Sequence, residues 1–226
     1  MTTPIPLIGI ERHRIATDGV GVTTLVAFHG CPLRCRYCLN PQCLQPDYFW
    51  RDVTVEDLLA EVAVDDLYFQ ATGGGITFGG GEPLLRSDFI ADFCRRKPAA
   101  WHITLETSLN VPRHCLETVF PHIDQYFVDL KDTHPDIYRS YTARDNAPVM
   151  ANLAWLAAQG AAEKVLIRLP HIPDYNTQAD VDRSRRRLEA LGFTHFDEFD
   201  YIKKRVLWSQ ERQNVMENRR FVDKNG

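Results

Sequence analysis

The 226-residue sequence predicts an α/β protein, an open, partial (β/α)6 barrel. Short β-rich runs alternate with helical patterns along most of the chain, and parallel neighbours need a crossover that is usually a helix. Helix-start and helix-stop residues fall between these runs. Six strand–helix units are too few for a closed eightfold barrel, which leaves an open sheet whose site belongs at the C-terminal strand ends.

In order, VTTLVAF (22–28) opens the sheet and TVEDLLAEVAVDDLYF (54–69) follows as helix. Thr54 with Asp57 three residues on is the capping-box pattern of a helix start. GITF (75–78) then precedes DFIADFCRR (88–96), and HITLET (102–107) precedes a short helix near 112–119. QYFVDL (125–130) leads into PDIYRSY and VMANLAWLAAQG, whose last residue, Gly160, marks a helix stop. KVLIRLP (164–170) leads into TQADVDRSRRRLEALG, with Thr177 and Asp180 as a second capping box and Gly192 as a stop. HFDEFDYI (195–202) is the last strand. One domain over residues 1–202 is expected, followed by a basic C-terminal tail, 203–226. That tail holds Lys203, Lys204, Arg205, Arg212, Arg219, Arg220 and Lys224 against Glu211, Glu217 and Asp223.

Composition narrows the function. Hydrophobic residues at 44% and charged residues at 25% are those of a folded globular protein. With 26 basic and 30 acidic residues the formal charge is −4, so no global positive field favours nucleic acid or anionic lipid. The absence of an apolar run of about 18 residues, and of a basic then apolar N-terminal leader, argues against membrane spanning and secretion. Six cysteines in such a chain are expected to be reduced thiols of a cytoplasmic protein.

Three of those thiols stand close together after the first strand, in His29-Gly30-Cys31-Pro32-Leu33-Arg34-Cys35-Arg36-Tyr37-Cys38. Structural zinc wants four ligands, usually in two separated pairs, and no second pair follows, although Cys43 stands within reach as a fourth thiol. Iron–sulfur clusters are commonly held by four cysteines, so three leave one iron open to an outside ligand, as a catalytic site needs. A second motif, Gly79-Gly80-Gly81-Glu82-Pro83, follows the GITF strand. Glycines there let backbone approach a ligand closely, and exposed carbonyls accept hydrogen bonds.

The C-x3-C-x2-C spacing with aromatic Tyr37 before the third cysteine, followed by the glycine motif, resembles the radical S-adenosylmethionine (SAM) superfamily. The resemblance implies a 4Fe-4S cluster on Cys31, Cys35 and Cys38, with SAM chelating the fourth iron. It also implies the radical SAM form of the partial barrel. Within that superfamily the chain resembles the glycyl-radical-enzyme activases from about residue 9 to about residue 175. The matching segments are Thr17-Asp18-Gly19-Val20-Gly21-Val22, Leu105-Glu106-Thr107-Ser108, Phe127-Val128-Asp129-Leu130-Lys131-Asp132, Pro135-Asp136-Ile137-Tyr138 and Ile167-Arg168-Leu169-Pro170.

This branch implies reductive cleavage of SAM and abstraction of a glycine Cα hydrogen from a partner, a glycyl radical enzyme. Flavodoxin or ferredoxin is the implied electron donor, and a monomer the implied state. Tyr37, Gly79, Gly80, Gly81, Glu82, Glu106, Thr107, Asp129, Lys131 and Arg168 are the expected SAM-binding residues. Lys131 and Arg168 supply the cations a SAM carboxylate needs. Glu106, Thr107 and Asp129 are also the candidate oxygen ligands of a monovalent cation. Val20 replaces the family proline, and Ile202 stands where the type member has a histidine near SAM. A single cluster is expected, with Cys43, Cys94 and Cys115 as core or surface thiols. No side-chain acid or base is required. Two other readings stay open: a small-molecule radical SAM enzyme resembling 7-carboxy-7-deazaguanine synthase, and a zinc-binding interaction module.

Overall fold

The computed structural model describes residues 3–15 and 17–201. Ile202 and the basic tail, 203–226, lie outside the described residues. The elements run β1 (Ile5–Ile15), β2 (Val22–Phe28), β3 (Arg51–Val53), α1 (Val55–Val62), α2 (Asp66–Thr72), β4 (Gly75–Gly80), α3 (Ser87–Arg96) and β5 (His102–Thr107). They continue through α4 (Arg113–Val119), β6 (Gln125–Asp129), α5 (Pro135–Thr142), α6 (Ala147–Ala158), β7 (Val165–His171), α7 (Gln178–Glu189) and β8 (His195–Asp200).

These strands form one sheet in the order β3-β1-β2-β4-β5-β6-β7-β8. The six from β2 onward pair in parallel, as the strand–helix alternation predicts. The sequence reading missed β1 and β3, which extend the sheet by antiparallel pairing beyond β2. It also ran one helix across 54–69, which the structure divides into α1 and α2 around Asp65. Asp65 is fully buried and accepts hydrogen bonds from Arg12 Nε (2.7 Å) and Thr24 Oγ1 (3.0 Å), tying the break to β1 and β2.

Strands covered on both faces read as continuous apolar runs, and β4 is buried at every position from Gly75 to Gly79. Its Phe78 meets Phe93 of α3 edge to face at 5.3 Å, and Phe69 of α2 meets Trp101 in the same way at 5.3 Å. Both capping boxes form, Thr54 with Asp57 and Thr177 with Asp180. The glycine stops hold as well: Gly160 and Gly192 take positive φ of 71° and 96°. This frame points the C-terminal ends of six parallel strands at one cavity.

Candidate functional site

That cavity has a volume of about 560 Å³. Its floor and walls come from consecutive strand ends: the cysteine loop after β2, Gly80 and Gly81 from β4, Glu106 and Thr107 from β5, Asp129 and Lys131 from β6, and Arg168 from β7. Every sequence-predicted site residue lines it except Gly79 and Glu82.

Cys31, Cys35 and Cys38 all border the cavity, and Tyr37 beside them belongs to a group of four tyrosines. Its ring lies 6.0 Å from Tyr141, 5.7 Å from Tyr175 and 6.2 Å from Tyr201. The Tyr201 hydroxyl donates to the Tyr37 carbonyl, fastening the end of the last strand to the cysteine loop. Burial pushes the Cys31 thiol up to about 12 and the Cys35 thiol up to about 11. A hydrogen bond from Cys43 holds the Cys38 thiol below its ordinary value. Cys43 is thus buried, as expected of a core thiol, but its sulfur serves Cys38. All six cysteines are free thiols.

Among the described residues no three His, Cys, Asp or Glu side chains converge on a point where one ion would sit. Cys31, Cys35 and Cys38 instead offer three free thiols to one cavity at C-x3-C-x2-C spacing, one donor for each of three irons. The donor set therefore fits a 4Fe-4S cluster with one iron left for an outside ligand.

The glycines hold this wall in place. A Cβ on Gly81 would stand 2.2 Å from the Gly30 carbonyl oxygen, so only glycine lets β4's end lie against the cysteine loop. Two backbone bonds secure that approach, Gly81 N–H to Phe28 O (2.9 Å) and Glu82 N–H to Gly30 O (2.8 Å). The Gly80 carbonyl accepts from Asn40 Nδ2 at 3.0 Å. Gly79 is not itself part of the lining; a Cβ there would meet Glu106 Oε2 at 2.9 Å, so its missing side chain makes room for Glu106.

Glu82 stands behind the cavity lining. Its carboxylate is fully buried behind the cavity residues Thr107 and Ser108 and is not itself part of the lining. It accepts from Thr107 Oγ1 (2.6 Å), Ser108 N–H (2.9 Å), Ser108 Oγ (2.6 Å) and Leu84 N–H (3.2 Å). Burial raises its pKa, and these donors pull the other way. Glu82 is therefore a latch that fixes the end of β5, and with it the Thr107 and Ser108 edge of the cavity.

A charged tetrad lines the same cavity. Arg168 Nη1 bonds Glu106 Oε1 at 2.7 Å and lies 3.8 Å from Asp129 Oδ1, while Lys131 Nζ lies 3.6 Å from Asp129 Oδ2. The Arg168 guanidinium stacks 4.7 Å from the Phe127 ring and reaches the Thr17 carbonyl at 3.2 Å. Burial works to lower the Lys131 pKa, but Asp129 and the nearby thiols outweigh it and the net direction is up. Burial also raises the Glu106 carboxyl. The pocket wall thus presents two fixed cations and two acids, a set suited to a zwitterionic ligand.

Sequence reasoning missed several lining residues. Glu11, Arg14 and Asp18 enter from β1 and the turn after it, and Asp197, Phe199 and Tyr201 from the last strand. The latter three stand two residues apart, so strand alternation in HFDEFDYI held the signal.

The family model of the Radical SAM superfamily matches residues 25–183. The (2S)-3-sulfopropanediol dehydratase activating enzyme of Klebsiella oxytoca is 25% identical over 293 residues, with 96% of this chain and 90% of that protein covered. The pyruvate formate-lyase 1-activating enzyme of Escherichia coli (strain K12) is 32% identical over 174 residues, covering 76% of this chain and 68% of that enzyme. In fold alone, the crystal structure of Streptococcus suis SuiB bound to S-adenosylmethionine is similar, with a TM-score of 0.63 at 14% identity over 94% of this chain. The chain spans 50% of that SuiB chain.

Proposed function

The chain belongs to the radical SAM superfamily, and from that premise we propose that it is an activase that installs a glycyl radical on a partner enzyme. The observation that supports this reading best is that three thiols and the Arg168–Glu106–Asp129–Lys131 tetrad line one cavity at the strand ends. The chemistry supplied by a bound 4Fe-4S cluster and SAM is one-electron cleavage to methionine and a 5′-deoxyadenosyl radical, which takes a Cα hydrogen from a glycine of the partner.

The chain's own residues bind and orient. Cys31, Cys35 and Cys38 would hold the cluster and leave its fourth iron to SAM. Arg168 and Lys131 offer cations to the SAM carboxylate, and Glu106, Thr107, Asp129 and the Gly80–Gly81 backbone offer oxygen acceptors to its ammonium and ribose. Tyr37 would pack beside the cluster. Glu106 and Asp129 are already neutralised by Arg168 and Lys131, so a monovalent cation beside SAM is an addition to the site and not a condition of its charge balance. We read residues up to 202 as one domain acting as a cytoplasmic monomer with an acidic one-electron carrier. No helix among the described residues is long and apolar enough to cross a membrane.

The test is to incubate the loaded protein, SAM and a reductant with candidate glycyl radical enzymes anaerobically. A glycyl doublet in the EPR spectrum with stoichiometric 5′-deoxyadenosine is expected. 5′-Deoxyadenosine formed on a small-molecule substrate, with no doublet on any candidate partner, would return the chain to the small-molecule reading.

A further inference from the structure

Cleaving SAM takes one electron from outside the chain, and in a protein of formal charge −4 the surface beside the three thiols carries four arginines, against Asp145 next to Arg144 and Asp174, which accepts from Tyr37 Oη at 2.9 Å. Arg34 and Arg36 stand on the cysteine loop, Arg144 on the turn between α5 and α6, and Arg139 within α5, all exposed. Two backbone bonds join these segments, Arg34 N–H to Thr142 O (2.9 Å) and Arg36 N–H to Tyr141 O (3.1 Å). Arg144 Nε donates to the Pro32 carbonyl at 2.8 Å, and Arg34 Nη1 to the Cys31 and Leu33 carbonyls, both at 2.9 Å.

Of the four, Arg139 pairs with Asp145 at 2.7 Å. Among the described residues Arg34, Arg36 and Arg144 meet no carboxylate. Their charge is therefore not spent on internal pairing, and it sits on backbone that carries the thiols. A carboxylate seated on Arg34 or Arg144 would be one guanidinium away from the carbonyl of Cys31 or of its neighbour Pro32. A local positive face on an acidic protein selects acidic partners and speeds their encounter.

We propose that the Arg34–Arg36–Arg144 face is the docking surface for an acidic one-electron carrier protein of the flavodoxin or ferredoxin type. The inference rests on the activase reading and adds to it the place where the electron enters. The step balances simply: the carrier is oxidised by one electron, the cluster on Cys31, Cys35 and Cys38 is reduced by one, and no bond or proton moves.

The probe is an acidic flavodoxin, and the variants are Arg36→Glu and Arg36→Glu with Arg144→Gln. The Arg36 side chain makes no hydrogen bond among the described residues, so the single variant leaves the loop intact. Flavodoxin affinity is measured by titration across a salt series, and 5′-deoxyadenosine formation is followed with flavodoxin and, separately, with dithionite. Flavodoxin affinity and the flavodoxin-driven rate should fall about tenfold with a shallower salt dependence, while the dithionite-driven rate stays at wild type. Unchanged flavodoxin affinity would overturn the proposal, as would an equal loss with dithionite, which would make the arginines part of the loop's own architecture. Binding lost to the glycyl radical enzyme, or to a second copy of the chain, with flavodoxin binding intact would assign the face to that occupant and also overturn it. A wild-type protein silent with both reductants would refute the activase reading, while the affinity series would still decide the docking face.

Discussion

Replacing Glu82 by Gln separates a ligand from a latch. The carboxylate accepts from four donors, two of them on Ser108. The amide keeps one oxygen for Thr107 Oγ1 and Leu84 N–H, and turns an NH2 toward the Ser108 backbone N–H. The Ser108 hydroxyl can rotate to accept from that NH2, but the backbone donor is stranded, at a cost of about 1–3 kcal/mol. In a chain of this size that is a Tm lower by about 2–12 °C. Burial raises the Glu82 pKa, so its ionised form destabilises the folded state, an effect absent below the ordinary glutamate value and growing as pH rises through the raised one. The Gln variant cannot ionise, so its deficit should shrink as pH rises across that window. Thermal unfolding of the protein without cofactors, followed by circular dichroism at several pH values, reads all of this. SAM affinity of the loaded variant should change far less than its Tm. A variant with wild-type Tm and a large loss of SAM affinity would refute the latch and restore Glu82 as a SAM contact.

Other expected outcomes follow from the same geometry. Gly81→Ala puts a methyl against the Gly30 carbonyl and should lower iron bound per chain after reconstitution; full iron loading would show that the approach of β4 to the loop is slack. Arg168→Gln removes the cation proposed for the SAM carboxylate, and loss of one hydrogen bond to a charged group, about 1.5–3 kcal/mol, predicts SAM binding weaker by roughly 10- to 150-fold, read by equilibrium titration. Thr177→Ala should cost about 0.5–2 kcal/mol in urea unfolding through loss of the α7 cap. Hydrogen bonds from Thr177 hold Asp180 down at about 2. Its stabilisation is therefore present above the ordinary aspartate value and disappears as pH falls through about 2, and an Asp180→Asn deficit at neutral pH should vanish along that descent.

The parallel strands were readable because each is a short apolar or β-branched run followed by a helix with its own cap, and Thr54 and Thr177 marked two of those starts. β1 was not readable from IPLIGIERHRI, whose second half is charged. It becomes a strand by pairing with β2 through irregular register and a left-handed His13 at φ 57°. The cysteines and the DLK and Arg168 segments fell at strand ends because their spacing follows the strand–helix repeat. The partners of Glu82 were not readable for the opposite reason: they are Thr107 and Ser108, 25 and 26 residues further along and brought beside it only when β4 pairs with β5. Cys43 likewise gains its part only from the turn that returns it to Cys38.

In the proposed site three thiols hold a cluster whose fourth iron is reserved for SAM. The most direct measurement is low-temperature EPR of the anaerobically reconstituted, reduced protein with and without SAM. A 4Fe-4S signal that shifts on adding SAM, and that is lost in Cys35→Ala together with 5′-deoxyadenosine formation, is the predicted result. A cluster spectrum indifferent to SAM, or stoichiometric zinc without iron or sulfide, would contradict it.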